Sequence, residues 1–308
     1  MTEVDALVVG GGPGGLTAAL MLGRARRSVL VVDASEGRNR FAAHSHSFFT
    51  RDGTPPPELR AIGREQALAY PDTRHHDGSV VSLTGSPGAF NAVLDDGTAV
   101  TSRVVVLATG AVDVLQPIEG IDRYWGRGVF QCPFCDGWEN RDRPMAVLTG
   151  EEQALMIVRH YYNWGHDLTL LTNGRWEPDS ALRASLDAMA VPVRTDEIAE
   201  VEGDGEWLGG VRFASGERLP LEIIWTRPTP KVRNELAVGL GCELVDKGGF
   251  SGFVWADETS QTSVPGVYAV GDLTNAAPSV AFAVSSASFA AARANHLLVE
   301  LDHEHVAV

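Results

Sequence analysis

Two cysteines, Cys132 and Cys135, stand two residues apart in the stretch QCPFCDGWE, and Asp136 follows the second cysteine directly. This spacing suits metal binding, a structural disulfide or reversible thiol–disulfide exchange. A structural zinc site needs four ligands, and the sequence has no second CxxC and no HxxxH to complete one. Three cysteines in all are too few for a disulfide scaffold. We therefore interpret the pair as redox-active and predict no metal site.

Thiol exchange needs a base, because the attacking species is the thiolate and thiols are mostly protonated at neutral pH. Asp136, next to the pair, is the first candidate. The second candidate is a histidine of the segment HSHSFFTRDG, either His44 or His46. For each histidine, the competing interpretation is a loop residue hydrogen-bonded to backbone or ligand.

The N-terminal segment predicts a nucleotide-binding unit. It runs from an apolar strand, VDALVVG, through a glycine loop and a helix to a second strand, SVLVVD. Gly10, Gly12 and Gly15 fit the pattern G-x-G-x-x-G, and Asp33 ends the second strand at the position expected of a ribose ligand. The whole strand–loop–helix–strand unit makes this prediction far more specific than the glycines alone.

Two later strands end in residues suited to the same ligand. RVVVLATGA ends in Ala108, Thr109 and Gly110, and TSVPGVYAVGD ends in Gly271 and Asp272. Small residues at a strand's carboxyl end let a cofactor approach the backbone; for Asp272, a helix cap is the alternative interpretation. One cofactor domain is thus predicted from both ends of the chain, residues 1–116 and 234–308, with residues 117–233 inserted as a second domain.

Length and composition agree with two α/β domains. The chain has 308 residues, of which 44% are hydrophobic and 21% charged. Its net charge of −15 repels phosphate backbones and anionic lipid, so we expect neither a nucleic acid nor a membrane partner. The sequence lacks a long apolar run and has acidic residues where a signal peptide has basic ones, which predicts a cytoplasmic protein.

The motifs GGGPGG, ATG, CPFCDG and PGVYAVGD, in this order, resemble the low-molecular-weight thioredoxin reductases over almost the whole chain. The resemblance implies two Rossmann-like, three-layer ββα domains and a homodimer. The domain built from both chain ends would bind FAD, and the inserted domain would have a nicotinamide-type site. Cys135 would be the thiol nearest the flavin and Cys132 the thiol that exchanges with substrate.

The resemblance also extends the set of FAD-binding residues beyond the motifs derived above. The full predicted set is Gly10, Gly12, Pro13, Gly14, Gly15, Asp33, Asn39, Arg40, His46, Val81, Ala108, Thr109, Gly110, Gly271, Asp272, Val280 and Ala281.

The inserted domain departs from the reductases at its nicotinamide site. Where a second glycine fingerprint is expected, the sequence reads TGEEQA, with Thr149 and Glu151 at glycine positions. A carboxylate there opposes a pyrophosphate by size and by charge. The basic cluster expected for the 2′-phosphate is reduced to Arg175, followed closely by Glu177 and Asp179. We predict that this domain has lost nicotinamide binding.

Without a nicotinamide donor, electrons would run from a small-molecule dithiol through the cysteine pair to FAD and then to molecular oxygen. RNRF, FFTRDG and the GWE after CxxC resemble the FAD-dependent dithiol oxidases that form the disulfides of gliotoxin and holomycin. Several of those oxidases have histidine at the position of Asp136. Two alternatives stay open: a thioredoxin reductase-like enzyme using NADPH or another donor, and a flavin-loaded redox sensor.

Four aromatic residues near the cysteines, Phe48, Phe49, Phe134 and Trp138, are expected to line an apolar substrate slot or to pack in the core.

Overall fold

The computed structural model describes residues 2–150 and 153–303. The chain forms two compact units. The first comprises Met1–Arg40, Thr54–Asp113 and Pro230–Val308, and the second comprises Phe41–Gly53 and Val114–Thr229. The sequence-based domain limits differ from these units mainly at Phe41–Gly53, which groups with the second unit rather than with the N-terminal segment. The histidines of this segment therefore share a unit with the cysteine pair.

The first stretch of the chain alternates strands with two helices. Its elements are β1 (Thr2–Val9), α1 (Pro13–Arg24), β2 (Val29–Asp33), a 3₁₀ turn (Arg38–Phe41), α2 (Pro56–Leu68), β3 (Thr73–Asp77), β4 (Val80–Ser86), β5 (Ala89–Leu94), β6 (Ala99–Leu107) and β7 (Ala111–Val114).

The middle stretch contains α3, which carries the cysteine pair. Its elements are β8 (Val129–Phe130), α3 (Pro133–Asp136), β9 (Met145–Leu148), α4 (Ala154–Tyr161), a 3₁₀ turn (Tyr162–Trp164), β10 (Leu168–Leu171), α5 (Ser180–Ala188), β11 (Val193–Arg194), β12 (Ile198–Gly203), β13 (Leu208–Phe213), β14 (Arg218–Pro220), β15 (Ile223–Thr226) and β16 (Thr229–Val232).

The last stretch returns to the first unit and ends in its longest helix. Its elements are α6 (Glu235–Gly239), β17 (Leu244–Lys247), β18 (Phe250–Val254), β19 (Val267–Ala269), a 3₁₀ turn (Gly271–Leu273) and α7 (Val280–His303).

The sheet of the first unit has the order β3-β2-β1-β6-β5-β4, and β19 also pairs with β6. β1, β2, β3, β6 and β19 run parallel, and Val9 is in register with both Val32 and Leu107. Their apolar residues are buried because other layers cover both faces of the sheet. The shared register brings the carboxyl ends of β1, β2, β6 and β19 to one edge.

Layers of different composition cover the two faces of this sheet. On one face, α1 and α7 pack through small residues such as Ala18, Ala287 and Ala290, which let helices approach closely. On the other face, Phe90 of β5 and Phe253 of β18 belong to one apolar cluster. The small-residue run in α7 therefore serves packing between helices.

The second unit repeats this plan at a smaller scale. Its five-stranded parallel sheet has the order β11-β10-β9-β15-β8. One face packs against α4 and α5 through Val158 and Leu186, and the other packs against the antiparallel strands β12–β14 through Val211 and Phe213. The predicted α/β class with two Rossmann-like units is confirmed. None of the described helices combines the length and the apolar character that a membrane span requires.

Candidate active site

Cys132 and Cys135 form a disulfide across the first turn of α3, with their Cα atoms 5.2 Å apart. Pro133 occupies the first helical position, where its missing N–H costs no hydrogen bond. The carbonyl oxygen of Cys132 accepts hydrogen bonds from the N–H groups of Cys135 (3.0 Å) and Asp136 (3.1 Å). The tight turn therefore places both sulfurs and the Asp136 carboxylate in one short segment.

Residues from α4 and the following 3₁₀ turn support this turn from behind. A Cβ atom on Gly137 would lie 2.3 Å from the Pro133 carbonyl oxygen and 2.6 Å from the Trp164 indole. The Tyr161 hydroxyl donates a hydrogen bond of 2.7 Å to the carbonyl oxygen of Gln131. Only glycine fits at position 137, which accounts for the glycine after Asp136 in the sequence. The supporting aromatic residues lie too far along the chain for the motif to have indicated them.

A cavity of about 500 Å³ opens beside the pair, within the second unit. Cys135 and Asp136 line it, together with an apolar wall and several charged side chains. The other lining residues are Ala43, His44, His46, Gly126, Gly128, Phe130, Glu139, Asn140, Arg143, Trp207, Leu208, Glu222 and Ile223. This volume matches that of sites for small organic ligands.

Asp136 is half-buried against this cavity, and its carboxyl is much less acidic than that of an exposed aspartate. Burial raises the pKa of its carboxyl to about 7; the nearby Glu139 carboxylate adds to this rise, and the His46 imidazole opposes it. Among the residues that the structure describes, none donates a hydrogen bond to the Asp136 carboxylate. The carboxyl therefore changes protonation state near neutral pH, as a general base for thiols must.

His46 lies between two other carboxylates. Its Nδ1 is 3.5 Å from the Asp52 Oδ1, and its Nε2 is 3.5 Å from the Glu139 Oε1. The His44 ring centre is 6.0 Å from that of His46, and His44 also lines the cavity. Both candidate histidines thus share a cavity with Asp136. His46 is the one placed between carboxylates, and no sequence pattern indicated its pairing with Glu139.

The cavity beside Cys135 is not lined by the four aromatic residues that the sequence analysis expected in an apolar slot or in the core, so the slot stays a prediction. The exposed fractions of Phe49, Phe134 and Trp138 are 89%, 65% and 67%, so these residues are not core residues either. The cavity's aromatic wall is formed instead by Phe130 and Trp207. Trp207 precedes β13, far along the chain from the cysteines, and proximity in sequence could not have identified it.

In the first unit, the glycine loop forms an open cradle at the carboxyl end of β1. A Cβ atom on Gly15 would lie 1.8 Å from the Gly10 carbonyl oxygen, and one on Gly10 would lie 2.3 Å from the Ala108 carbonyl oxygen. Within the described part of the chain, a Cβ atom on Gly12 would meet no protein atom within 4 Å, and no side chain caps the N-terminus of α1 there. Open space above free backbone N–H groups fits a pyrophosphate.

The other strand ends of this unit bring Asp33, Ala108 and Gly271 to the same edge as the glycine loop. Asp272 follows, and its carboxylate lies 3.0 Å from Arg38, which also pairs with Asp113. Burial raises the pKa of Asp272, while Arg38 lowers it. The Ser279 N–H, just before α7, also hydrogen-bonds this carboxylate, which agrees with the cap interpretation. Sequence reasoning missed Arg38 as the partner of Asp272.

The remaining predicted FAD residues occupy several parts of the chain, and their roles stay predictions. Six of them lie at the start of a helix or in a 3₁₀ turn: Pro13 and Gly14 in α1, Asn39 and Arg40 in the first 3₁₀ turn, and Val280 and Ala281 in α7. Val81 is exposed on β4. The Thr109 hydroxyl donates a hydrogen bond of 2.6 Å to the Arg233 carbonyl oxygen, and Gly110 has a φ of +68°. His46, predicted with this set, belongs to the second unit.

The corresponding edge of the second unit has different contents. The Trp176 indole N–H donates a hydrogen bond of 3.0 Å to the Thr149 carbonyl oxygen at the end of β9. Glu177 pairs with Arg183 at 2.7 Å, and Asp179 accepts a hydrogen bond from the Leu182 N–H as the cap of α5. Glu151, which occupies one of the expected glycine positions, lies outside the described residues. The loss of nicotinamide binding stays a prediction, and these contacts agree with it.

Comparisons with known proteins extend over most of the chain. Residues 4–291 match the family described as pyridine nucleotide-disulphide oxidoreductase. The thioredoxin reductase tcpT of Claviceps purpurea is 31% identical over 283 residues, which cover 87% of this chain and 86% of that protein. The crystal structure of HlmI, 34% identical, superposes with a TM-score of 0.90 and covers 98% of this chain and 95% of that one.

A probable thioredoxin reductase of Arthroderma benhamiae is 38% identical over a shorter stretch. The 176 aligned residues cover 55% of this chain and 44% of that protein, so less than half of that relative's length is matched. The family match, the full-length relatives and the open cradle at Gly12 agree on the cofactor. The chain therefore belongs to the pyridine nucleotide-disulphide oxidoreductase family, as a thioredoxin reductase-like, FAD-binding oxidoreductase.

Proposed function

We propose that the protein is a dithiol oxidase that closes an intramolecular disulfide in a small-molecule dithiol. The substrate thiolate attacks Cys132, the second substrate thiol displaces it, and the enzyme pair is left reduced. The substrate loses two protons and two electrons, and one S–S bond forms. FAD, when bound, supplies the chemistry that takes this electron pair from the cysteines and delivers it to molecular oxygen, which becomes hydrogen peroxide.

The observation that carries this proposal is the pairing of Cys135 with Asp136 at a small-molecule cavity. An aspartate with an ordinary pKa of 3.8 is a weaker base than a thiolate of pKa about 8.5 by roughly 6 kcal/mol. With the pKa of Asp136 at about 7, this gap closes to about 2 kcal/mol. Asp136 is thereby suited to accept a thiol proton at neutral pH and to return it.

The residues at the end of β9, where a nicotinamide-type site is expected, support electron flow from the dithiol to FAD. The contact of Trp176 with the Thr149 carbonyl places an indole at the strand end where a dinucleotide would approach the backbone. Both acidic side chains that follow are engaged locally, and the sequence has only Arg175 to meet a 2′-phosphate. A donor other than NADPH, namely the dithiol itself, agrees with these contacts.

The test is an anaerobic comparison of two reductants. We expect dithiothreitol to bleach the flavin absorbance and air to restore it, whereas NADPH leaves the flavin oxidised. Cys132→Ser and Cys135→Ser should each abolish the response to dithiothreitol while the protein stays yellow. Rapid bleaching by NADPH would instead identify a thioredoxin reductase-like enzyme, the activity named for the tcpT relative. Bleaching by neither, without turnover, would favour a redox sensor.

The same proposal includes natural-product biosynthesis, a cytoplasmic location and a homodimer, each an extension of the family resemblance. Sedimentation of the purified flavoprotein tests the dimer directly, and cell fractionation tests the location. Oxygen consumption with candidate dithiols tests the substrate class, because each disulfide formed should consume one O₂ and release one hydrogen peroxide.

A further inference from the structure

We propose that His46 is a proton relay connecting Asp136 with solvent, and that Glu139 and Asp52 are its two carboxylate partners. This inference rests on the proposed function, since a dithiol oxidase must discharge the proton that its base takes up in each turnover. It gives roles to Glu139 and Asp52, which the reaction as described above leaves without one.

The geometry gives the relay an inner and an outer end. His46 Nε2 is 3.5 Å from Glu139, which lines the cavity with Asp136, and Nδ1 is 3.5 Å from Asp52. The exposed fractions of the side chains are 19% for His46, 43% for Glu139 and 70% for Asp52. Glu139, His46 and Asp52 therefore form a row that begins at the cavity of Asp136 and ends at the most exposed of the three side chains, Asp52.

Imidazole is suited to this position because its two nitrogens can accept a proton on one side and release another from the other side. At 3.5 Å, each carboxylate is beyond ordinary hydrogen-bond length, so transfer uses a small rotation of the imidazole ring that shortens one of these two distances. Glu139 and His46 also act on Asp136 electrostatically, and in opposite directions. The three side chains thus form one electrostatically connected group.

The backbone of the segment Phe41–Gly53 is held without the imidazole. The Ser47 hydroxyl donates to the Phe134 carbonyl oxygen at 3.1 Å, and the Ser47 N–H donates to Asp52 at 2.7 Å. The Gly53 N–H donates to the Ser45 carbonyl oxygen at 3.0 Å. Because these bonds fix the loop beside α3, the side chain of His46 is not needed to anchor it.

The other charged groups near the relay leave His46 as its central member. Arg143 and Glu222 line the cavity but pair with each other at 3.4 Å, which cancels most of their charge. His44 lines the cavity as well, and it is the competing relay. Its substitution therefore belongs in the experiment.

The experiment follows reduction of the Cys132–Cys135 disulfide by dithiothreitol under anaerobic conditions. Rapid acid quenching, thiol alkylation and mass spectrometry report the reaction without relying on flavin turnover. At pH 7 we expect His46→Ala to slow reduction roughly 10-fold or more, and added imidazole to restore most of the rate. Asp52→Asn, which keeps an acceptor for the Ser47 N–H, should slow it roughly 2- to 5-fold. His296→Ala, at an exposed His–Glu pair on α7, is the matched control.

The outcomes separate the relay from the proposed function. If wild-type disulfide is not reduced by dithiothreitol, both proposals fail together. If wild type reacts and His46→Ala reacts equally fast, or if His44→Ala is the variant that imidazole rescues, the relay through His46 alone is overturned. The relay is also overturned by a third result. If imidazole does not restore the reduction rate of His46→Ala, and His46→Gln is slow with the pH dependence of wild type, the role of His46 is structural.

Discussion

At the end of β1, a side chain on Gly12 would project into open space, whereas at the end of β9 the Trp176 indole contacts the Thr149 backbone. The two edges have the same parent architecture, a parallel sheet whose strand leads through a loop into a helix. Small residues keep one loop open to a phosphate; at the other, residues such as Trp176 and Asp179 engage the local backbone. Ligand choice in this fold is therefore a property of the loops.

The largest effect is expected at the open edge. Gly15→Ala forces a Cβ atom onto the Gly10 carbonyl oxygen and should abolish FAD retention while lowering the free energy of unfolding by about 2–3 kcal/mol. Gly12→Ala has room in the protein, so we expect unchanged stability but an FAD affinity at least roughly 100-fold lower, because the methyl group occupies phosphate space. Flavin content and urea unfolding measure the two effects. Full flavin retention by Gly12→Ala would contradict the cradle.

The next largest effect is expected at Asp136 in the second unit, where a substitution should change the reaction rate and leave FAD binding in the first unit unchanged. Asp136→Asn should slow flavin bleaching by dithiothreitol roughly 100- to 1000-fold at pH 8 without loss of FAD. In wild type the rate should rise with pH through about 7 as the carboxyl ionises, and this limb should disappear in the variant. Stopped-flow absorbance between pH 5 and 9 gives both results. A limb that persists in Asp136→Asn would assign the base to a histidine.

A smaller effect, on flavin reduction by NADPH, should appear when the end of β9 is made more open to a dinucleotide. Combining Trp176→Ala with Glu151→Gly removes the indole over the Thr149 carbonyl and restores one glycine of the fingerprint. NADPH leaves the wild-type flavin oxidised apart from a slow background, and we expect anaerobic bleaching by NADPH in this double variant at roughly 10-fold that background rate. Trp255→Ala, at an exposed indole of the first unit, is the control. Equal rates in all three proteins would mean that other residues exclude the nicotinamide.

The smallest effect concerns stability. The folded-state pKa of Asp136 lies above its ordinary value of 3.8, so its contribution to stability is complete below about pH 4 and is lost as pH rises through about 7. Asp136→Asn cannot ionise. Relative to wild type it should therefore gain about 1 kcal/mol of unfolding free energy between pH 4 and pH 8, after allowance for solvent screening. Urea unfolding at both pH values measures this, and a constant difference would contradict the raised pKa.

The sequence could predict features whose residues are neighbours along the chain. The fold class, the glycine cradle and the turn of the cysteine pair each depend on short stretches in which apolar runs, glycine and proline have direct local consequences. The cavity could not be predicted, because Trp207 and Glu222 reach it from strands far along the chain. Arg38 and Asp272 pair across 234 positions, and no local pattern marks either as the partner of the other.

The pairing of β19 with β6 also constrains how the protein is made. Leu107 ends β6, and Val267 begins β19. During synthesis the first sheet therefore stays incomplete until a strand that lies 160 positions later has been made. At usual rates of synthesis, a ribosome needs roughly 10–30 s to reach it. During that time the middle stretch, whose parallel strands all fall between Val129 and Thr226, can fold by itself. We therefore expect the unit that contains Cys132 and Cys135 to fold before the FAD site of the first unit is complete.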